Sequence, residues 1–272
     1  MAIQLIDKIR TIVWYESIAY AIDAKTAHEF ATKFDELRHE AYLASNFPEP
    51  PSFDMKSFKA YERATSIPSE KTLQLVDDLL PRTAEIFRSG PRTSRHVLDG
   101  KRKKVLVTST APLWLALGGS AEACKAVLVW YDKELGTLLA SHADVLTLAK
   151  QAIKWLPFDV LLELADQPPH SNAVAHVIKS AEIRLSVDDL TVLIALWRLS
   201  MATHQSFSVM NYTMNGLYPQ VIPDIMSNFR ESLGADVVTY CKMCESTYLE
   251  YLTRLKGGNL PDEFDPFLTA FK

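Results

Sequence analysis

Arginine and lysine side chains are concentrated in one stretch of this chain, residues 82 to 104. Arginine presents forked N–H donors that match phosphate oxygens, and lysine supplies a compact positive charge, so together they suit a polyanion backbone. Only two acidic residues lie among them, so the stretch has a formal charge of +6, against −10 for the rest of the chain. We call this stretch the basic island; its basic members are Arg82, Arg88, Arg92, Arg95, Lys101, Arg102, Lys103 and Lys104.

The local position of this charge bears on the kind of partner. The acidic remainder argues against a general basic coat, so we expect a local anionic partner, either single-stranded RNA or an anionic membrane surface. A run such as Lys101 to Lys104 is also the composition of a solvated loop or of a nuclear-import or heparin-binding patch. That interpretation stays open beside the first.

Two of the three cysteines have the spacing used for zinc or redox chemistry. Cys241 and Cys244 form one CxxC, but a zinc site needs two further ligands, and the chain has no second CxxC and no paired histidines. The pair lies in a predicted helix beside apolar residues, which favours a structural role. We therefore predict no metal and no cofactor.

Other catalytic patterns are incomplete. Glu36 and His39 make a single ExxH, whereas a di-iron bundle needs two. The acidic pairs at 77–78 and 188–189 fit helix faces or first turns, where the helix dipole favours acid. Ser120 follows two glycines but lacks the glycine that a nucleophile elbow needs two positions later. We predict no catalytic residue, although active sites need not form linear motifs.

Composition predicts an all-α fold. Hydrophobic residues make up 48% of the 272 residues and only nine are glycine, which argues against the many tight turns of a sandwich or barrel. Prolines instead separate helical stretches. We predict two helical lobes, residues 1–88 and 111–256, joined by a short basic β-hairpin or loop at 89–110 and followed by a C-terminal arm, residues 257–272.

Apolar spacing and capping residues predict the helices of the N-terminal lobe. Residues 3–22 are apolar on several faces, which indicates a helix that is buried or bound to a partner. Further helices are expected at 27–41 after Thr26 as N-cap, at 54–64 after a proline-rich break, and from Ser69 as N-cap up to Pro81.

The basic island contains the one strong strand signal. Asp99-Gly100 stands between Val97-Leu98 and the apolar residues 105–107, a turn dipeptide with β-branched flanks. This pattern predicts a β-hairpin that carries the island's charge.

The C-terminal lobe is expected to hold a short helix after Pro112 and a longer one capped by Ser120. Ser186 followed by Asp189 indicates a capping box, and Gly234 is interpreted as a C-cap. The longest apolar stretch, 190–197, is far shorter than the roughly 20 residues of a membrane span, so it predicts a core helix and no transmembrane segment. The expected helices are 143–156, 158–166, 171–184, 187–204, 223–233 and 235–256.

The C-terminal arm is unusually aromatic for a terminal segment. A solvated tail gains nothing from such residues, so we expect them to be buried on the parent domain or in a groove of another subunit. The predicted oligomerisation residues are Phe264, Phe267, Leu268 and Phe271.

Together these features favour a non-enzymatic structural protein that self-associates and contacts a polyanion. Helical lobes, a basic hinge region and exchanged arms resemble the general plan of viral nucleoproteins of segmented negative-strand RNA viruses; no motif identifies a family. The pI near 6.0 differs from that of typical RNA-coating proteins. A matrix-type shell protein is therefore a related interpretation. The alternative is a cytosolic helical enzyme or adaptor with a peptide or small-molecule groove and an incidental basic loop.

The expected location is intracellular. Asp7, Lys8 and Arg10 stand where a secretory signal would need apolar residues, and three cysteines form no disulfide framework. We expect the cytoplasm, with the nucleus, or a virion if the protein is viral, as variants.

Overall fold

The computed structural model describes residues 4–45, 55–98, 104–131, 186–202, 210–211, 214–215, 218, 221–226 and 229–255. Over these ranges the protein is mainly helical with one two-stranded sheet, which confirms the predicted all-α class. None of the helices in these ranges is long and apolar enough to cross a membrane. The chain divides into two compact units, residues 1–110 and 111–272.

Several predictions fall outside the described residues. These are the helices expected at 143–156, 158–166 and 171–184, and the proline-rich break before 54. The basic residues Lys101, Arg102 and Lys103 and the C-terminal arm also lie outside them.

The first unit contains five helices among its described residues, followed by the hairpin. The helices are α1 (Leu5–Ala21), α2 (Ala27–Ser45), α3 (Met55–Glu62), α4 (Glu70–Leu79) and α5 (Thr83–Arg88). The first four are those that the sequence predicts, and α5 is an addition. Both predicted caps are present: Thr26 Oγ1 accepts from the Glu29 amide at 3.1 Å, and Ser69 Oγ accepts from the Thr72 amide at 3.1 Å.

Aromatic rings fill the core of this unit. Phe58 on α3 contacts Phe30 and Phe34 on α2, with ring centroids 4.5 and 5.4 Å apart, and Trp14 on α1 meets Tyr61 edge-on at 5.6 Å. Such pairs contribute about 0.5–1.5 kcal/mol each beyond area burial. Most of the apolar residues of α1 are thus buried inside their own unit, whereas Tyr20 near its end is 90% exposed.

The predicted β-hairpin is present. Strand β1 (Arg92–Leu98) pairs antiparallel with β2 (Lys104–Thr110), from Arg92 opposite Thr110 to Leu98 opposite Lys104. The five residues 99–103 separate the last pair, so the connection is longer than a two-residue turn at Asp99-Gly100.

The second unit contains five helices among its described residues: α6 (Leu113–Gly118), α7 (Ala121–Tyr131), α8 (Val187–Ala202), α9 (Val221–Met226) and α10 (Glu231–Leu255). Helix α8 packs on α6 and α7, and α9 packs on α10. Residues 190–201 of α8 are all buried, which confirms the predicted core helix. A helix buried on every face is expected at the centre of a core.

Two predicted N-caps of this unit are also confirmed. Ser120 Oγ accepts from the Ala123 amide at 3.2 Å. Ser186 and Asp189 form the reciprocal capping box: Asp189 Oδ2 accepts from the Ser186 amide at 2.8 Å, and Ser186 Oγ accepts from the Asp189 amide at 3.3 Å. Tyr131 at the end of α7 also donates to Asp189 Oδ1, at 3.4 Å.

The interpretation of Gly234 as a C-cap is wrong. Gly234 lies inside α10, where it is buried against Pro223 of α9. A Cβ on Gly234 would stand 2.4 Å from the Pro223 Cα atom, closer than real Cβ contacts allow. Glycine is therefore present because two helix backbones approach closely, and the break between α9 and α10 comes before residue 231.

Candidate polyanion-binding site

The base of the basic island is the turn between α4 and α5, and Asp77 organises it. One carboxylate oxygen of Asp77 accepts from the Ala84 amide at 2.8 Å and from Thr83 Oγ1 at 3.4 Å. The acid at the end of α4 thus caps the start of α5. The sequence offered Asp77 only as half of an acidic pair, because a cap from six or seven residues upstream matches no local pattern.

Arg82 occupies this turn in a strained conformation. Its φ is 69°, in the left-handed region that costs a non-glycine residue about 1–2 kcal/mol. The Asp77 contacts fix the following residues and so hold Arg82 in place. Its side chain is exposed, and the structure shows no hydrogen bond or ion pair from it to any described residue. The guanidinium is therefore open to an external anion.

Arg92 fastens the hairpin to the same turn. Its Nη2 donates to the Pro81 carbonyl at 2.7 Å, directly beside Arg82 in the chain. Buried Gly90, with φ 152°, and buried Pro91 lead from α5 into β1. The contact with Pro81 uses one of the five N–H donors of a guanidinium, and Arg92 is exposed. Arg82 and Arg92 thus lie at one fixed location.

Arg88, predicted as a third polyanion ligand, has a protein partner. It forms an ion pair with Glu70 at the start of α4, and the two side chains are 48% and 71% exposed. Exposed pairs of this kind contribute only about 0–1 kcal/mol. A phosphate at Arg88 would have to compete with Glu70, so Arg88 is a weaker candidate than Arg82 or Arg92.

The remaining predicted ligands belong to the hairpin. Arg95 pairs in register with Val107, and Lys104 with Leu98. Because successive strand positions alternate between the two faces, positions 92 and 95 belong to opposite faces. Lys101, Arg102 and Lys103 lie outside the described residues. Among the described residues, the structure places Arg82 and Arg92 beside Pro81, keeps Arg88 on α5, and puts positions 95 and 104 on the hairpin strands.

The second unit has a different charged feature, which sequence reasoning missed. Arg198 on α8 is 2% exposed, and its Nη1 donates to the Ala116 carbonyl at 3.1 Å and lies 4.0 Å from Cys124 Sγ. Its charge also acts on Cys241 and Cys244 of α10. All three cysteines therefore lie around one buried cation, although 74 residues separate Cys124 from Arg198. No short sequence pattern reports such a cluster.

Burial controls the chemistry of this cluster. It raises the pKa of the Cys244 thiol to about 12, although Arg198 and a hydrogen bond with Tyr240 act in the opposite direction. It raises the pKa of Cys241 well above the ordinary value, and Cys244 adds to that effect. Thiols held protonated are poor nucleophiles and poor metal ligands. In the described part of the chain, no group of three or more histidine, cysteine or acidic residues is placed to hold a metal ion.

The other motifs that the sequence offered for catalysis are exposed on a helix or cap a helix. Glu36 and His39 are exposed on α2, Asp77 caps α5, and Asp189 belongs to the capping box. No protein-family model, curated protein or solved structure showed significant similarity to this chain.

Proposed function

We propose that this protein is a non-enzymatic assembly protein that binds the phosphate backbone of single-stranded RNA through the basic island and associates with copies of itself. The observation that best supports this proposal is the fixed base of the hairpin. There Arg82 and Arg92 are both exposed, and Arg92 donates to the carbonyl of Pro81, the residue before Arg82. Positioned guanidinium groups bind phosphate oxygens without reading bases. This is what a protein that coats RNA of any sequence needs.

The hairpin favours a strand-like partner over a flat surface. Positions 92 and 95 belong to opposite faces of the hairpin, whereas a membrane surface contacts only one face at a time. A flexible single strand follows a basic path around such a finger. RNA is therefore the proposed partner, and an anionic membrane, which would indicate a matrix type, is the outcome to be tested against it.

Self-association rests on the C-terminal arm. Its Phe264, Phe267, Leu268 and Phe271 supply more apolar surface than a solvated segment keeps exposed. With RNA binding, this would make the protein one of nucleoprotein type. The alternative, a helical enzyme or adaptor, predicts a small defined species that binds no RNA.

The test is binding of a labelled oligouridylate to the full chain, followed by fluorescence anisotropy over a range of salt concentrations. The logarithm of affinity should fall linearly with the logarithm of salt, by about 0.7 for each neutralised phosphate. Arg82→Glu, and Lys101→Glu with Lys103→Glu, should weaken binding and make the slope shallower. Arg63→Glu is the matched control, because Arg63 is exposed in the turn after α3 and lies outside the island.

Four outcomes would contradict the proposal. A flat salt response would remove its electrostatic basis, and an equal loss in Arg63→Glu would show that binding reports only net charge. Binding to phosphatidylserine vesicles in place of RNA would indicate the matrix type. A monomer that binds neither probe would favour the enzyme or adaptor.

A further inference from the structure

The antiparallel register of the hairpin divides its residues between two faces. Directly paired residues share a face, and successive residues of one strand alternate between the faces. What we call the first face has two leucines, and its other residues all carry hydrogen-bond donors: Arg92, Ser94, His96, Lys104, Thr108 and Thr110. The second face has three valines together with Thr93, Arg95 and Ser109. Hydrogen-bond donors are thus concentrated on the first face.

The first face is also the more exposed one near the base of the hairpin. Arg92 and Thr108 are exposed, and Thr110 at the very end of β2 is partly exposed. On the second face, Thr93 and Ser109 are both only partly exposed, and the hydroxyl oxygen of Ser109 is buried. A polyanion in solution therefore reaches the base of the hairpin from the side of Arg92 and Thr108.

We propose that the first face of the hairpin is where phosphates bind, and that His96 is one of their ligands. The inference rests on the proposed function and adds neutral donors to it, the hydroxyls of Ser94 and Thr108. Alternate residues of a strand lie about 6.6 Å apart, so positions 92, 94 and 96 form a row of donors. Hydroxyl, imidazole and guanidinium groups all donate to phosphate oxygens, so such a row suits consecutive phosphates. A strand that passes around the hairpin also meets Arg95 on the second face.

His96 gives the first face a charge that depends on pH. Histidine is the side chain that ordinarily changes its charge between about pH 5 and pH 8. The register places two other charged residues on this face, Arg92 of β1 and Lys104 of β2, and both are positive. A bound phosphate offsets their repulsion and favours the charged imidazole, so proton uptake and phosphate binding should strengthen each other. Affinity should therefore rise as the pH falls.

The first test compares hydroxyl groups on the two faces in the full chain. Ser94→Ala with Thr108→Val removes two hydroxyls from the first face, and Thr93→Val with Ser109→Ala makes the same exchanges on the second. Both variants keep the charge of the basic island, and far-UV circular dichroism checks that they fold. By fluorescence anisotropy, the first-face variant should bind labelled oligouridylate several-fold more weakly with an unchanged salt slope. The second-face variant should bind like the wild type, and equal losses in the two would overturn the inference.

The second test follows affinity against pH. His96→Gln removes the titrating group, and His39→Gln is the matched control, because His39 is exposed on α2. Between about pH 7.5 and pH 5.5, the wild type and the control should gain affinity several-fold, and their salt slope should steepen by about 0.7, the value for one more phosphate. His96→Gln should lose most of this gain. A pH profile of His96→Gln that matches the wild type would remove His96 from the site.

The two proposals fail separately, because inorganic polyphosphate serves as a second probe that has phosphates but no bases or sugars. If oligouridylate binds with the expected salt dependence but the first-face variant and His96→Gln behave like the wild type, only the inference fails. If polyphosphate binding depends on the first face and on His96 while oligouridylate does not bind, the inference stands and the RNA proposal fails. If neither probe binds, both fail.

Discussion

The two units place their ionisable groups differently. The first has 17 lysine and arginine residues against 15 acidic ones, exposes Arg82 and Arg92, and packs its core with aromatic rings. The second has 12 against 18 and encloses Arg198, two thiols of raised pKa and Tyr240. Positive charge on a surface is available to a partner, whereas positive charge in a core acts on its buried neighbours.

This difference teaches that formal charge alone does not identify a binding site. Arg198 is as positive as Arg92, but it is enclosed with carbonyl and sulfur atoms, and removing it would change folding before binding. Arg92 donates to the Pro81 carbonyl and remains exposed. Exposure and anchoring together distinguish the candidate site.

The largest expected effect tests the aromatic core of the first unit. Phe58→Ala should lower the free energy of unfolding by about 3–5 kcal/mol, because it removes a buried ring that packs against Phe30, Phe34 and Tyr61 and leaves a cavity. Phe58→Leu keeps most of the volume and should cost about 1–2 kcal/mol. Hydrogen exchange of the α1 and α2 amides measures both. Equal losses in the two variants would show that ring packing is not the dominant contribution.

The next effect tests the buried thiols of the second unit. In the unfolded chain Cys241 and Cys244 ionise near the ordinary pKa of 9.0, while in the folded protein burial keeps them protonated, to about pH 12 for Cys244. The unfolded state therefore binds fewer protons above pH 9. The contribution of the thiols to the free energy of unfolding should be fully present below pH 9. Above pH 9 it should fall by about 1.4 kcal/mol per pH unit for each thiol. Urea unfolding of the second unit, followed at pH values on both sides of 9, measures this slope.

Cys241→Ala with Cys244→Ala is the control for that slope. The variant lowers stability at neutral pH by leaving small cavities, but it removes both thiols and should flatten the alkaline decline. A decline as steep as that of the wild type would assign it to Tyr218 and Tyr240, whose pKa values burial also raises.

The smallest expected effect concerns both the stability of the first unit and its binding of RNA. Asp77→Ala should cost about 1–2 kcal/mol, because α5 loses its cap, and should also weaken oligouridylate binding by releasing Arg82. Asp77→Asn keeps an acceptor oxygen and should retain most of both properties. Full RNA affinity in Asp77→Ala would show that the turn need not be fixed, which would weaken the distinction between anchored and merely exposed arginines.

Local rules predicted most of the secondary structure in the described part of the chain, although the helix expected at 223–233 is interrupted between Met226 and Glu231. Thr26, Ser69, Ser120 and Ser186 cap the helices that they were expected to cap, because each of these caps joins residues three positions apart. The hairpin followed from its turn dipeptide and β-branched flanks. Such features depend on interactions between residues that are close in sequence.

The site depended on contacts that sequence spacing does not reveal. Arg92 meets the carbonyl of Pro81, 11 residues away, and Arg198 meets that of Ala116, 82 residues away. Gly234 was misinterpreted for the same reason. Its small size is required by the close approach of Pro223 on another helix, and not by the end of its own helix. Packing between elements decided these positions.

The left-handed backbone at Arg82 sets two selective pressures against each other. Glycine adopts this conformation without the steric penalty, so a screen for heat resistance alone would favour Arg82→Gly. The same exchange would delete one of the two exposed guanidinium groups at the base of the hairpin. On the proposed function, a lineage selected for RNA packaging would retain arginine at a thermodynamic disadvantage, and a thermostabilised form of the protein would pack its RNA less tightly.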